Sequence, residues 1–364
     1  MYPLEGQLDF PHQQWYVAAL SGEVSRVLMS RRILGAPIVF YRAESGEPVA
    51  LAGLCPHRFF PMARGCLHGD VIECAYHGLQ FDTSGKCVKV PSQEGIPKGL
   101  HLRSYPLHER GGWIWIWMGE ADKADDALLP AVDSIGIDVD GYRHDLNPTM
   151  HLPARYQLLI DNLMDLTHIS FVHSKTLPNA DFVVRSPADV TEEGKVLRVL
   201  RKFPRGPADD FTKMLHPDIE GAVDISLVSE YFGPCLINAG GPYVTPVGDT
   251  HTRKLNFIHA ITPETANSTH YFNGISRNFS LENDGLSAGM LAQSAAVVSE
   301  DIESLGALEP YADEFGDPRQ EWSMQADAGA IRVRRMLSAQ IRAERTPRAG
   351  AEQNSQSAAA NRES

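Results

Sequence analysis

Along the first third of the chain, apolar positions come in short runs cut by polar turns. Trp15-Tyr-Val-Ala-Ala-Leu20 is one such run, and Pro37-Ile-Val-Phe-Tyr41 pairs with Val49-Ala-Leu-Ala52 around the turn Glu44-Ser-Gly-Glu47. Leu79-Gln-Phe-Asp82 and Lys86-Cys-Val-Lys-Val90 flank Thr83-Ser-Gly85. Gly112-Trp-Ile-Trp-Ile-Trp-Met118 alternates two strand-favouring residue types, which predicts a strand packed on a core rather than an aromatic ligand box. Together these runs predict a small all-β unit over residues 1–118. Residues 119–130 are acidic and Ala-rich, end in Pro130, and read as a linker.

From Tyr142 the elements lengthen. Leu158 to about Ser170 reads as a helix, and strands are expected at Val196–Leu200, Val223–Val228, Leu255–Ile261 and Thr269–Phe272. Gly285–Leu308 predicts a long helix, and a second, Arg-rich helix runs from Asp327, as its N-cap, to about Glu344. The fold class is therefore α+β, with a second unit over 131–345. Residues 346–364 carry no large apolar side chain and are expected to be a disordered tail.

Length and charge narrow the function. A chain of 364 residues suits two domains and can bury a sizeable core. The net charge of −13, with no basic block, argues against nucleic acid and against an anionic membrane surface. The start has no basic and apolar leader pattern, and no run approaches the length of a membrane span. Five cysteines in a chain of this size suggest no disulfide framework and suit a cytoplasmic location.

The most informative stretch is Cys55-Pro-His57, sixteen residues, then Cys74-Ala-Tyr-His77. Two thiolates and two imidazoles can hold a tetrahedral zinc, or a [2Fe–2S] cluster with the Cys pair on one iron and the His pair on the other. In the second, Rieske arrangement, each short loop gives one ligand to each iron, and the His pair raises the reduction potential. Pro56 and Pro61 stiffen the first loop and Gly78 follows the second. A further C-x-H lies between them at Cys66 and His68. Pairing it with Cys74 and His77 would leave only five residues for two strands, so Cys66 and His68 read as structural or solvent-facing. Cys87 reads as a buried thiol.

A second metal site is suggested by Asp161-Asn-Leu-Met-Asp165-Leu-Thr-His168-Ile-Ser-Phe-Val-His173. Asn162, Asp165 and His168 share one helical face. His173 lies about 140° further round, so both imidazoles can reach one metal only where the helix stops or unwinds. Two neutral histidines need one carboxylate to complete the facial triad that binds Fe(II) and leaves positions open for O2. On the long helix, Val297, Val298, Ile302, Leu305 and Leu308 form an apolar stripe with Asp301 in its midst, while Glu300 and Glu303 are expected off it. A carboxylate on an apolar face is costly unless paired or metal-bound, which makes Asp301 the candidate third ligand.

These motifs resemble the oxygenase component of Rieske non-haem iron oxygenases, over nearly the whole chain, and most of all the vanillate and dicamba O-demethylase group. Trp15-Tyr-Val-Ala-Ala, Ile261-Thr-Pro-Glu264 and Ser276-Arg-Asn-Phe279 extend the likeness beyond the metal motifs. The resemblance implies a Rieske domain followed by a helix-grip catalytic domain. Cys55, His57, Cys74 and His77 would hold the cluster, and His168, His173 and Asp301 the iron. Asp165 would bridge a cluster histidine of a neighbouring subunit to an iron ligand, which implies a homotrimer. Asn162 would lie near the iron, and Asn238 and His259 would hold a substrate carboxylate.

The implied activity is O2- and NAD(P)H-dependent O-demethylation, or N-dealkylation, of a small aromatic acid, with release of formaldehyde. Electrons would arrive from a reductase or ferredoxin docked near Arg58, Arg64 and Lys86, which read equally as a solvated surface. Ring hydroxylation or dihydroxylation by the same iron is the alternative within this chemistry. An electron-transfer module would need only residues up to about 118. A zinc-stabilised binding protein is separable by iron and sulfide analysis.

Overall fold

The computed structural model describes residues 10–177, 180, 182–314 and 321–345; the tail expected over 346–364 lies outside the described residues. The first part is built of short strands: β1 (Trp15–Leu20), β2 (Met29–Ile33), β3 (Ala36–Arg42), β4 (Pro48–Ala52), β5 (Cys66–His68), β6 (Val71–Glu73), β7 (Gln80–Phe81), β8 (Cys87–Lys89), β9 (Leu107–Arg110) and β10 (Trp113–Trp117). They pair as β1-β10-β9, β2-β3-β4 and β5-β6-β7-β8. Gly111 and Gly112, both at positive φ (67° and 74°), make the two-residue turn from β9 into β10. Trp113, Trp115 and Trp117 are buried, and so are Ile114 and Ile116 between them, so β10 is covered on both faces.

The stretch 119–130 is laid against this sheet. Carbonyls of Glu120 and Asp125 accept the indole N–H groups of Trp117 and Trp15, each at 2.9 Å. Burying an indole without such a partner would be costly, so the acidic, Ala-rich segment acts as a clasp.

The second part contains β11 (Arg143–Leu146), β12 (Met150–Leu152), α1 (Tyr156–Met164), α2 (Ile169–Val172), α3 (Phe182–Arg185), β13 (Ala188–Glu193), β14 (Val196–Lys202), β15 (Gly206–Pro207), α4 (Asp210–Leu215), β16 (Ala222–Tyr231), β17 (Leu236–Pro246), β18 (Arg253–Thr265), β19 (Ser268–Arg277), α5 (Asp284–Leu308) and α6 (Ala328–Arg345). The antiparallel sheet runs β11-β19-β18-β17-β16-β14-β13, with β12 on β19 and β15 on β16. Asn283 caps α5 by accepting the Leu286 N–H at 3.0 Å. The buried side of α5 is Ser287, Met290, Ser294, Val298, Asp301 and Leu305. Of the expected stripe, Val298 and Leu305 are thus buried beside Asp301, whereas Val297 and Ile302 are half-buried and Leu308, the last residue of the helix, is exposed.

Three sequence expectations need correction. The helix expected from Leu158 to Ser170 stops at Met164, because Asp165 turns extended (φ −125°) and its side chain caps the 3-10 turn Leu166–His168. Asp327 accepts the backbone N–H of Met324 and so closes the turn before α6, rather than capping α6 itself. Strand β17, with Gly240-Gly-Pro242 inside it, was not among the expected strands. In the sheet, Gly241 sits where an added Cβ would lie 1.8 Å from the Leu255 carbonyl oxygen, so only glycine allows that close approach.

A single core runs through both parts. It joins Trp15, Val17, Phe40 and Trp115 to Leu159, Ile237, Ile258 and Leu305. Hydrogen bonds stitch the same seam: Thr262 Oγ1 to the Val17 carbonyl at 2.7 Å, Cys235 Sγ to the Trp15 carbonyl at 3.1 Å, and Leu34 N–H to the Pro263 carbonyl at 2.8 Å. A second, smaller core surrounds Cys55 and Cys74. No helix among the described residues is long and apolar enough to cross a membrane.

His216, buried against the ring of Phe279, has its pKa pushed down to about 4 by burial, with Arg253 adding to the effect. Between pH ~6.5 and ~4 the unfolded chain therefore binds the proton that the folded chain refuses. Stability should fall by up to about 3 kcal/mol as pH drops through that window. Urea unfolding at pH 7 and pH 4.5 checks this, with His216→Leu removing its share of the difference.

Candidate metal centres and the surrounding site

The two cluster-type loops have one backbone design. Cys55 N–H donates to the Phe60 carbonyl and Phe59 N–H returns to the Cys55 carbonyl; Cys74 N–H donates to Leu79 and Gly78 N–H returns to Cys74, all at 2.8–2.9 Å. In each loop the fourth residue after the cysteine takes positive φ, Phe59 at 55° and Gly78 at 70°. The thiols of Cys55 and Cys74 are buried and face each other. Burial pushes the Cys55 thiol up to about 11, against backbone N–H groups of His57 and Arg58 that point at the sulfur. Those N–H groups would favour a thiolate held by iron. His57 and His77 are exposed, with ring centroids 4.5 Å apart. A buried sulfur pair beside an exposed imidazole pair fits a two-iron cluster, one pair per iron.

The second centre forms where α1, α2 and α5 meet. His168 ends the 3-10 turn, His173 follows the last residue of α2, and Asp301 comes up from the buried side of α5. His173 Nε2 lies 3.2 Å and His168 Nε2 3.6 Å from Asp301 Oδ1. Cis ligands about 2.1 Å from one metal lie roughly 3 Å apart, so this donor set fits a single ion. The ring protons fit as well. His168 Nδ1–H donates to the Asp165 carbonyl at 2.6 Å and His173 Nδ1–H to Glu300 Oε2 at 2.8 Å. Both Nε2 lone pairs are thereby turned inward, as ligation requires.

Electrostatics separate the two rings. Burial lowers the pKa of His168, with Asp301 opposing. For His173, burial also acts downward, but Asp301 and Glu300 outweigh it and raise the pKa. A cation seated among them would displace the proton that these carboxylates attract.

Asn162 donates from Nδ2 to Asp301 Oδ1 at 3.1 Å, and its Oδ1 is buried without a partner among the described residues. The Asp165 carboxylate accepts Thr167 N–H at 3.0 Å and the Thr167 hydroxyl at 2.8 Å, and lies 3.4 Å from Arg201. With Asp161, Asn162, His168, Trp322 and Arg334, Asp165 lines a cavity of about 230 Å³.

Glu300 and Arg201 were not found by sequence reasoning. Glu300 was expected to point off the stripe, yet it reaches His173 and the Thr176 hydroxyl. Its position beside Asp301 was the only signal. Glu300→Gln should lower mononuclear iron affinity by about 10- to 100-fold, the usual cost of losing such a partner, with the cluster unaffected. Iron retention after graded chelation reads this out.

Asn238 and His259 do not come together. Ile237 pairs with His259 across β17 and β18, so Asn238, the next residue, faces the other side of the sheet. There its Nδ2 contacts Glu230, Tyr243 and Asn256 at 3.0–3.2 Å. His259 faces the centre: Asp301 and His168 both act on its charge, and burial holds its pKa down to about 4. With Nε2 toward the Ala239 carbonyl (3.4 Å) and Nδ1 accepting from the Tyr271 hydroxyl (2.6 Å), it is a neutral imidazole rather than a cation.

Comparison with known proteins agrees with both centres. Residues 14–106 match the Rieske [2Fe-2S] domain model, and residues 152–343 match that of the vanillate O-demethylase oxygenase C-terminal domain. The oxygenase component of dicamba O-demethylase from Stenotrophomonas maltophilia is 34% identical over 91% of this chain and 97% of its own length. The oxygenase component of chloroacetanilide N-alkylformylase from Rhizorhabdus wittichii is 31% identical over 93% of this chain and 98% of its own. The structure of dicamba monooxygenase bound to 3,6-dichlorosalicylic acid superposes with a TM-score of 0.84 at 32% identity, covering 93% of this chain and all of that one.

Proposed function

Because the chain belongs to the Rieske oxygenases with a vanillate O-demethylase-type C-terminal domain, we propose that it is the terminal oxygenase of a multicomponent monooxygenase. Its reaction removes an O-methyl or N-alkyl group from a small aromatic compound, with formaldehyde as the product of a methyl group. The observation that carries this reading is the meeting of His168, His173 and Asp301 around one point, with both Nε2 lone pairs facing inward.

Cys55, His57, Cys74 and His77 would hold the [2Fe–2S] cluster, and His168, His173 and Asp301 the Fe(II). When bound, the cluster supplies single electrons drawn from NAD(P)H through a reductase or ferredoxin, and the iron supplies open positions for O2. The chain's own residues do the rest. Glu300 and the Asp165 carbonyl hold the two ring protons away from the ligating nitrogens. Asn162 steadies the Asp301 carboxylate. Neutral His259, whose two ring nitrogens are taken by the Tyr271 hydroxyl and the Ala239 carbonyl, would offer the aromatic substrate its ring face rather than a charge.

Asp165 would receive a cluster histidine from a neighbouring copy, at the cavity it lines. Exposed Phe59 and Tyr76 beside His57 and His77 would supply the apolar contact for that docking, which makes a homotrimer. All five cysteines are unpaired, in keeping with a cytoplasmic enzyme.

One experiment tests the reaction without its reductase. The protein is loaded with iron, its cluster is reduced chemically, and O2 is added with a panel of methoxylated benzoates, methoxyphenols and N-alkyl anilides. Formaldehyde or the matching aldehyde, stoichiometric with reduced cluster, is the expected result. Ring-hydroxylated product without aldehyde would overturn dealkylation in favour of ring oxidation.

A further inference from the structure

The C-x-H at Cys66 and His68 is not used by either centre. Cys66 pairs with Glu73 across β5 and β6, and His68, two residues on from Cys66, projects from the same face. The three side chains therefore converge outside the hairpin. Cys66 Sγ lies 3.4 Å from His68 Nε2, and His68 Nε2 lies 3.5 Å from Glu73 Oε2. All three ligand atoms fall within 4.8 Å of one another. Around a tetrahedral zinc, with bonds of about 2.3 Å to sulfur and about 2.0–2.1 Å to nitrogen and oxygen, the S–N edge is about 3.6 Å and the N–O edge about 3.3 Å. The side chains already stand at those spacings. Gln80 Nε2 donates at 2.6 Å to Glu73 Oε2, the oxygen that faces His68, and so holds that carboxylate oxygen in place beside the ring.

We propose that Cys66, His68 and Glu73 form a separate surface site for a divalent cation of the zinc type. A thiolate, an imidazole and a carboxylate together select a borderline-soft ion such as Zn2+ over Mg2+ or Ca2+. Water takes the fourth position, since Cys66 and His68 are exposed. On binding, the Cys66 thiol gives up its proton to solvent and an S–Zn bond forms. The ion ties β5 to β6 immediately ahead of Cys74, and so staples the hairpin that delivers a cluster ligand.

The test is peptide-mapped alkylation of the full-length, iron-loaded protein with iodoacetamide, with and without micromolar Zn2+. Mapping reads Cys66 alone, so zinc entering the mononuclear iron site does not confuse it. Zinc is expected to slow Cys66 modification by about tenfold or more, because the bound sulfur is no longer a free nucleophile. His68→Ala, an exposed substitution, should abolish that protection with the cluster absorbance unchanged, and Cys66→Ser should bind one zinc fewer per chain. Equal alkylation rates with and without zinc would overturn the proposal. So would protection that survives in His68→Ala, since the thiol alone would then account for it.

Discussion

Asp301→Ala will strip the mononuclear iron and leave the cluster spectrum intact. Iron per chain should fall from about three to about two, and substrate turnover should be lost with it. The reason is that, among the described residues, Asp301 is the single carboxylate facing both Nε2 atoms, at 3.2 and 3.6 Å. Two neutral imidazoles alone hold Fe(II) poorly. The fold should survive: Asp301 is a buried carboxylate whose removal leaves alanine on a helix side already lined by Val298 and Leu305. Elemental analysis with the cluster's visible absorbance checks this directly. Retained iron would move the ligand to another carboxylate, and Glu300 stands next to it.

Asp165→Asn should load both metals yet slow turnover by about 100-fold, the upper end for residues that act beside a metal ligand. Asparagine is a clean probe here. It caps a helix start as well as aspartate does, so the bond to Thr167 N–H and the turn Leu166–His168 persist. The backbone carbonyl that orients His168 is untouched. What changes is the charge, beside the buried Arg201. Single-turnover reoxidation of the reduced cluster, with substrate present, measures the step affected. Normal reoxidation would remove Asp165 from the electron path.

How much of this was legible follows from where each ligand's neighbours lie in the chain. The loops around Cys55 and Cys74 are local: proline, glycine and ligand spacing fall within a few residues, and so do the hydrogen bonds that shape them. Asp301 was legible at long range because helix periodicity exposes a charge in an apolar stripe. Glu300 was not, since its partner His173 is 127 residues away and the approach depends on how the chain turns after α2. The substrate-facing assignment of Asn238 failed for a different reason. In a strand, a shift of one residue exchanges the two faces. The register of β16 to β18 is reset by irregularities between Leu227 and Ser229 and between Asn238 and Tyr243, where Gly240 and Gly241 disguise the strand itself. His259 lies in a regular stretch, paired with Ile237 on one side and Asn273 on the other.

The core shared by the two parts also governs how such enzymes can be recombined. Trp15, Val17 and Leu34 meet Cys235, Thr262 and Pro263 through both packing and hydrogen bonds. A chimera that joins this cluster module to another oxygenase's catalytic module must therefore inherit the whole seam from one parent. Grafting at the acidic stretch after Met118 alone would also sever the indole clasps of Trp15 and Trp117. The unit of exchange in this architecture is the pair of modules, and donor specificity is better retuned on the exposed cluster loops than by swapping the module that carries them.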